Sequence, residues 1–130
     1  MGTSENTAAV VAAYDAFGRG DIEAILAITA EDTIWQIHAS SDSPLNGEYK
    51  GLDGVVEFFT KVGSLLEFAR FEMAPIAAEG DTVVAVGDQE YTVTSTGTVV
   101  TGRLAHVYTF SSDGKVAHFE DFEPGGDGAW

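Results

Sequence analysis

A change in hydrophobic period near residue 67 is the feature that most restricts how this chain can fold. Before it, apolar residues recur at helical spacing; after it, they alternate with polar ones at the period of a strand. A helix over 4–17 carries Val10, Val11, Tyr14 and Phe17. Gly18, Arg19 and Gly20 end it, and Asp21 caps a second helix carrying Ile22, Ile25, Leu26 and Ile28. A strand over 33–38 and a polar loop, ASSDSPLNG, lead to a third helix starting near Asp53. Its apolar face holds Val55, Val56, Phe58, Phe59, Val62 and Leu66. Strands are then predicted over 68–77, 82–94, 99–110 and 115–123, separated by Glu79-Gly80-Asp81, Ser95-Thr96-Gly97 and Ser112-Asp113-Gly114. Helices followed by an antiparallel meander make an α+β fold, a curved sheet wrapped around a helix layer. One domain is expected over 1–130, with 124–130 (PGGDGAW) as a flexible tail.

Charge and composition remove several classes of function. Twenty-one acidic residues face six basic ones, and the basic residues form no cluster, so nucleic acid and anionic membrane surfaces are poor partners. With no cysteine, neither a disulfide framework nor a thiolate metal site can exist. No apolar run approaches the roughly 18 residues of a membrane span. The N-terminal MGTSENTAAVVAAY lacks the features of a signal peptide, so a cytoplasmic location is expected. His38, His106 and His118 have neither HxH nor HxxxH spacing, and the glycine turns lack the lysine and the strand-loop-helix context of a phosphate loop. No metal and no cofactor are therefore expected.

Strand parity locates the chemistry. In 82–94 the odd residues Val83, Ala85, Gly87, Gln89, Tyr91 and Val93 form the inward face, against Asp88, Glu90, Thr92 and Thr94 outside. A hairpin turning at Thr96-Gly97 sets Leu104 opposite Gln89 and His106 opposite Gly87, so Leu104, His106, Tyr108 and Phe110 share that face. A following turn at Asp113-Gly114 sets His106 across from Asp121; with a four-residue loop Asp121 becomes diagonal, and only a three-residue loop breaks the alignment. Either even register leaves about 4.5–8 Å between their backbones. An imidazole, a carboxylate and an amide (His106, Asp121, Gln89), joined by the phenols of Tyr91 and Tyr108, thus converge on the concave side of an apolar sheet. Buried ionisable groups are costly unless paired, and a few convergent polar groups in an apolar hollow are the usual form of a small-molecule site. A purely structural His106–Asp121 pair is the alternative. Glu123 shares the inner face with Asp121, giving a possible carboxylate pair, but it sits near the strand end, where it reads as solvated at the mouth. Arg103 reads as an outward surface ion pair. Ala105, Val107, Val116 and Phe122 read as an apolar stripe on the outer face.

The stretches AVVAAYDAFGRGDIEAILAITAEDTIW, PLNGEYKGLDGVVEFF and AHVYTFSSDGKVAHFEDFEP, in that order, resemble the NTF2-like superfamily over nearly the whole chain. Within it they resemble ketosteroid isomerase and the SnoaL-like polyketide cyclases. The resemblance implies a cone of three N-terminal helices packed on a curved, mostly antiparallel sheet, and a homodimer formed through the outer face. Tyr14 falls where the isomerases keep an oxyanion-hole tyrosine, and His106 where they keep a second hydrogen-bond donor. Their general base aligns with Ile37, one residue before His38. Asp121 falls where the cyclases and limonene epoxide hydrolase place an acid/base aspartate. The hydrolase's arginine and aspartate positions are Gln89 and Tyr91 here.

The chemistry so implied is cofactor-free acid/base catalysis. Asp121 removes a proton α to a carbonyl, and His106, with Tyr14 or Gln89, stabilises the enolate oxygen. Trp35, Phe17, Phe58, Phe59, Tyr108 and Phe119, with Leu104 and Tyr91, form a wall for an apolar, ring-bearing substrate. Isomerisation and aldol-type cyclisation both fit, and epoxide hydrolase-like or dehydratase variants remain alternatives. A second class of function is a binding module that holds an apolar ligand without turnover.

Overall fold

The computed structural model describes residues 2–130. Helices α1 (Thr3–Gly18), α2 (Ile22–Ala27) and α3 (Gly51–Leu65) pack on one six-stranded sheet. Its strands are β1 (Thr29–His38), β2 (Gly47–Lys50), β3 (Leu66–Glu79), β4 (Thr82–Val93), β5 (Val99–Phe110) and β6 (Val116–Phe122). Their order is β2-β1-β6-β5-β4-β3, antiparallel except where β1 and β6 run parallel. This is the expected α+β cone, helices against a curved and mostly antiparallel sheet.

Each helix forms for the reason its residues suggested, with a narrower buried face. Asp21 caps α2 by accepting from the Ala24 N–H at 3.2 Å. In α3, Val55, Phe58 and Val62 are buried at helical spacing, while Val56, expected among them, is 43% exposed. In α1, Asn6, Val10 and Ala16 are buried, and Val11 lies on the outside. Leu66 belongs to the start of β3 instead of to α3. Strand β2 was not expected: its four residues bury only Tyr49, too short a stretch to show an alternating pattern. The loop before it is ordered by Asn46, whose side chain accepts from the Ala39 N–H at 2.6 Å and donates to the Ser40 carbonyl at 2.5 Å.

Two hairpins decide what the inner face presents. The β4–β5 turn is longer than expected: Val93 N–H donates to the Thr98 carbonyl at 2.8 Å, and Gly97 takes a φ of 74° within the connection. The ladder is therefore shifted by two, with Leu104 opposite Gly87, His106 opposite Ala85 and Gln89 opposite Gly102. An even shift changes partners but not faces. The β5–β6 connection is the odd case: Ser111 N–H donates to the Lys115 carbonyl at 2.8 Å, leaving 112–114 as the loop. An irregularity follows, because Phe110 pairs with Val116 and Thr109 with His118, which leaves Ala117 unopposed. This bulge restores His106 opposite Asp121 and turns Val116 inward, where it is 2% exposed, correcting its expected place on the outer face.

Two further expectations are revised. Gly87, expected opposite His106, faces Leu104. A Cβ there would overlap the Glu72 carbonyl of β3, so the missing side chain allows two strands to approach. The closing segment 124–130, expected to fray, lies against the body. Thr96 Oγ1 donates to the Ala129 carbonyl at 2.8 Å, Gly128 N–H donates to Asp42 Oδ2 at 3.0 Å, and Ala129 is buried. On the outer face Phe122 is 40% exposed and stacks on His38 with 4.9 Å between ring centres. Among the described residues no helix is long and apolar enough to cross a membrane.

Gly87→Ala should cost about 1–3 kcal/mol or more, because the overlap is with backbone and cannot be relieved by a rotamer change. Chemical denaturation of the variant tests this; an unchanged midpoint would show that β3 yields freely at Glu72.

Candidate active site

Between the sheet and the three helices lies a largely apolar cavity. Tyr14 and Phe17 reach it from α1, Phe58 and Phe59 from α3, and Trp35 from β1. Gln89, Leu104, His106, Tyr108, Phe119 and Asp121 reach it from β4, β5 and β6. The structure thus brings together all but one of the residues singled out from sequence. The exception is Tyr91, which is buried and packs against Phe68 with 5.9 Å between ring centres; its hydroxyl lies beneath Gly126 of the closing segment, not in the cavity.

A continuous polar track crosses the apolar wall. The hydroxyl of Tyr14 lies 2.8 Å from His106 Nδ1, and Tyr108 bonds the Tyr14 hydroxyl. On the other side of the imidazole, Nε2 lies 3.1 Å from Asp121 Oδ1. That contact is close but not aligned as a hydrogen bond, and Oδ1 is buried without a hydrogen-bond partner among the described residues. Beyond it, Glu123 contacts Asp121 and accepts from Gln89 Nε2 at 2.9 Å.

Burial sets the protonation of these groups. It pushes the Asp121 carboxyl up to about 6, against a weaker opposite effect of the Glu123 hydrogen bond. It pushes His106 down to about 4, and it raises the phenols of Tyr14 and Tyr108. Near neutral pH the site therefore holds an ionised Asp121 beside a neutral imidazole. With His106 neutral, the Asp121 carboxylate beside Nε2 favours the ring's single N–H there, at the cavity, and leaves Nδ1 to accept from the Tyr14 hydroxyl.

Aromatic rings frame this track. Phe119 lies between His106 and Trp35, with 4.8 Å and 4.5 Å between ring centres. Sequence reasoning missed Phe68 and Phe71 here, since alternation places residues three apart on opposite faces. A register irregularity between Phe68 and Arg70 turns both inward, opposite Tyr91 and Gln89. Glu123 was expected on the inner face at the mouth, and it lies there. Glu123 N–H donates to the His38 carbonyl at 2.9 Å, continuing the ladder past Phe122, and the half-buried side chain lines both the cavity and an open groove beside His38 and Arg103. Ile37 is buried, while His38 points outward to Glu120 at 3.0 Å, as parity required. Arg103 points outward to Asp88 at 3.6 Å, and His118 to Gln36 at 2.9 Å. Among the described residues no three His, Asp or Glu side chains converge as a metal site.

The model of the SnoaL-like domain matches residues 10–119. The chain belongs to the SnoaL-like family. Among solved structures, an NTF2-like protein from Burkholderia xenovorans LB400 superposes with a TM-score of 0.82 at 29% identity, covering 94% of this chain and 91% of that one. An NTF2-like protein from Burkholderia thailandensis E264 gives 0.80 at 31% identity with the same coverages. TerC, co-crystallised with polyporic acid, gives 0.74 at 32% identity, covering 92% and 91%. No curated protein matches the sequence significantly.

In this SnoaL-like domain the carboxylate is held at a cost. Asp121 keeps its proton in the folded state up to about pH 6, whereas the unfolded chain releases it near 3.8, so its ionisation destabilises the fold as pH rises between those values. Asp121→Asn should therefore raise stability at pH 7 by something on the order of 3 kcal/mol, the gain shrinking as pH falls from 6 towards 4. Denaturation across that range measures it, and a variant weaker than the parent at pH 7 would refute the buried-anion picture.

Proposed function

We propose that this SnoaL-like chain is a cofactor-free acid/base enzyme that isomerises or cyclises an apolar, ring-bearing carbonyl compound. The observation that carries this reading is the buried, unpartnered Oδ1 of Asp121, 3.1 Å from His106 Nε2, on the wall of an aromatic cavity. A hydrogen-bond acceptor and a donor side by side suit an enolisable ketone, whose α C–H and carbonyl oxygen have the same spacing of roles. Asp121 takes the α-proton, the C–H electron pair moves into the enolate, and His106 Nε2–H bonds the enolate oxygen. The imidazole stays neutral because burial disfavours its charged form, and Tyr14 holds it in place by hydrogen bonding at Nδ1. In isomerisation Asp121 returns the proton to another carbon. In cyclisation the enolate carbon attacks a second carbonyl, and the proton goes to the new alkoxide.

The substrate is inferred from what lines the cavity. No lysine or arginine does, so a phosphate or carboxylate group would find no counter-charge inside. Trp35 lines the wall, and its indole N–H has no partner among the described residues, so a second oxygen on the ligand is expected to accept from it. The co-crystallisation of TerC with polyporic acid supports an organic small molecule as occupant; it also supports the second reading, a domain that binds such a ligand without converting it. An epoxide-opening variant has less support, since Gln89 and Tyr91 replace its charged pair and Tyr91 lies outside the cavity. We further propose a cytoplasmic homodimer that covers Ala105, Val107 and Phe122; sedimentation showing only monomers would remove the dimer.

Turnover of a panel of polyaromatic ketones by the parent and by Asp121→Asn separates the readings. The variant should lose roughly 10²–10⁴-fold in kcat while its affinity changes little. In the parent, kcat/KM should climb through about pH 6 as Asp121 ionises, then stay level, since His106 is already neutral above about pH 4. Binding and conversion both unchanged by the substitution would eliminate Asp121 as the base; binding without conversion in the parent would favour the binding module.

A further inference from the structure

We propose that Glu123 is a neutral carboxylic acid that donates a hydrogen bond to the Asp121 carboxylate, making it the positioning residue that sets the protonation of the base. Its catalytic consequence rests on the acid/base reading above; its protonation does not. The backbone places it. Glu123 N–H donates to the His38 carbonyl at 2.9 Å, so the β1–β6 ladder runs one residue beyond Phe122 and the side chain faces inward with that of Asp121. Gln89 Nε2 donates to Glu123 Oε1 at 2.9 Å, which fixes that oxygen as an acceptor and leaves the other free to carry a hydrogen.

Charge balance then requires the proton. The ionisable groups facing this carboxyl are Asp121 on its own strand, His106 from β5 and Tyr91 from β4, with Asp42 further off beside Tyr91. None supplies a positive charge near neutral pH. Arg103 and His38, nearest on the outer face, pair with Asp88 and Glu120. A buried carboxylate and a half-buried one side by side, with no cation between them, resist double ionisation, so the pair holds one proton. Asp121, 3.1 Å from the imidazole Nε2, is the better placed of the two to keep the charge, and Glu123, raised well above the usual carboxylate range by burial and by the neighbouring Asp121, holds the proton. The pair then carries a single negative charge, left on Asp121 beside the Nε2–H. When Asp121 receives a substrate proton the pair becomes neutral, and no further proton leaves it.

The substitutions Glu123→Gln and Glu123→Ala distinguish this from a purely structural role. Glutamine reproduces the neutral acid: its amide oxygen can accept from Gln89 and its amide N–H can donate to Asp121. The pH at which Asp121 titrates, and the rising limb of kcat/KM, should stay where they are in the parent. Alanine removes the donor, so the same midpoint should move up by about one unit and activity at pH 6 should fall several-fold. Carboxyl-selective ¹³C NMR titration of the unliganded parent reads Glu123 directly, with protonation expected at pH 7. An ionised Glu123 at pH 7, or a lower Asp121 midpoint in Glu123→Gln, would overturn the proposal. The NMR measurement needs neither turnover nor a folded alanine variant, so an inactive protein would count against the enzymatic reading alone.

Discussion

Side chains on a strand change face with every residue, so the pairing of β5 with β6 decides where Asp121 points. The connection at 112–114 alone would slide β6 by one residue and send Asp121 to the outer face. The unopposed Ala117 absorbs that slip, and His106 meets Asp121 across the ladder. The inward placement of Asp121 depends on this local defect. The bulge also turns Val116 inward, so apolar lining and buried carboxylate are products of the same irregularity.

Once His106 and Asp121 share the interior, burial governs them. An apolar surround favours the uncharged form of every group, and the site keeps only what charge it cannot shed. The imidazole and the phenols stay neutral, Glu123 retains its proton, and Asp121 remains as the one group that ionises near physiological pH. Tyr108, Tyr14 and His106 form a relay of neutral hydrogen bonds on one side of it, and Glu123 with Gln89 forms another. A base held this way is stronger than an exposed carboxylate, and the fold bears the cost as lost stability.

The membership of the SnoaL-like family, the α+β cone and most of the cavity wall were legible from order and spacing. Gln89, Leu104, His106, Tyr108, Phe119 and Asp121 all sit where strand parity put them, since an error of two in the β4–β5 register leaves parity untouched. Tyr91 was on the predicted face but too near the strand end to reach the cavity. Phe68, Phe71 and Val116 were missed or misplaced for one shared reason: bulges are set by partner strands, and alternation within a single segment carries no record of them.

Local chemistry in the chain thus determined which segments become helix or strand, and which residues are candidates for the interior. Hydrophobic period and turn residues act over a few positions and can be read there. The tertiary structure decided the rest: that an odd loop is corrected by Ala117, that Gln89 bonds Glu123 beside Asp121, and that 126–130 packs against Asp42 and Thr96. These are properties of burial and of pairing between distant strands. They arise only when separate parts of the chain compete for the same space and the same hydrogen bonds.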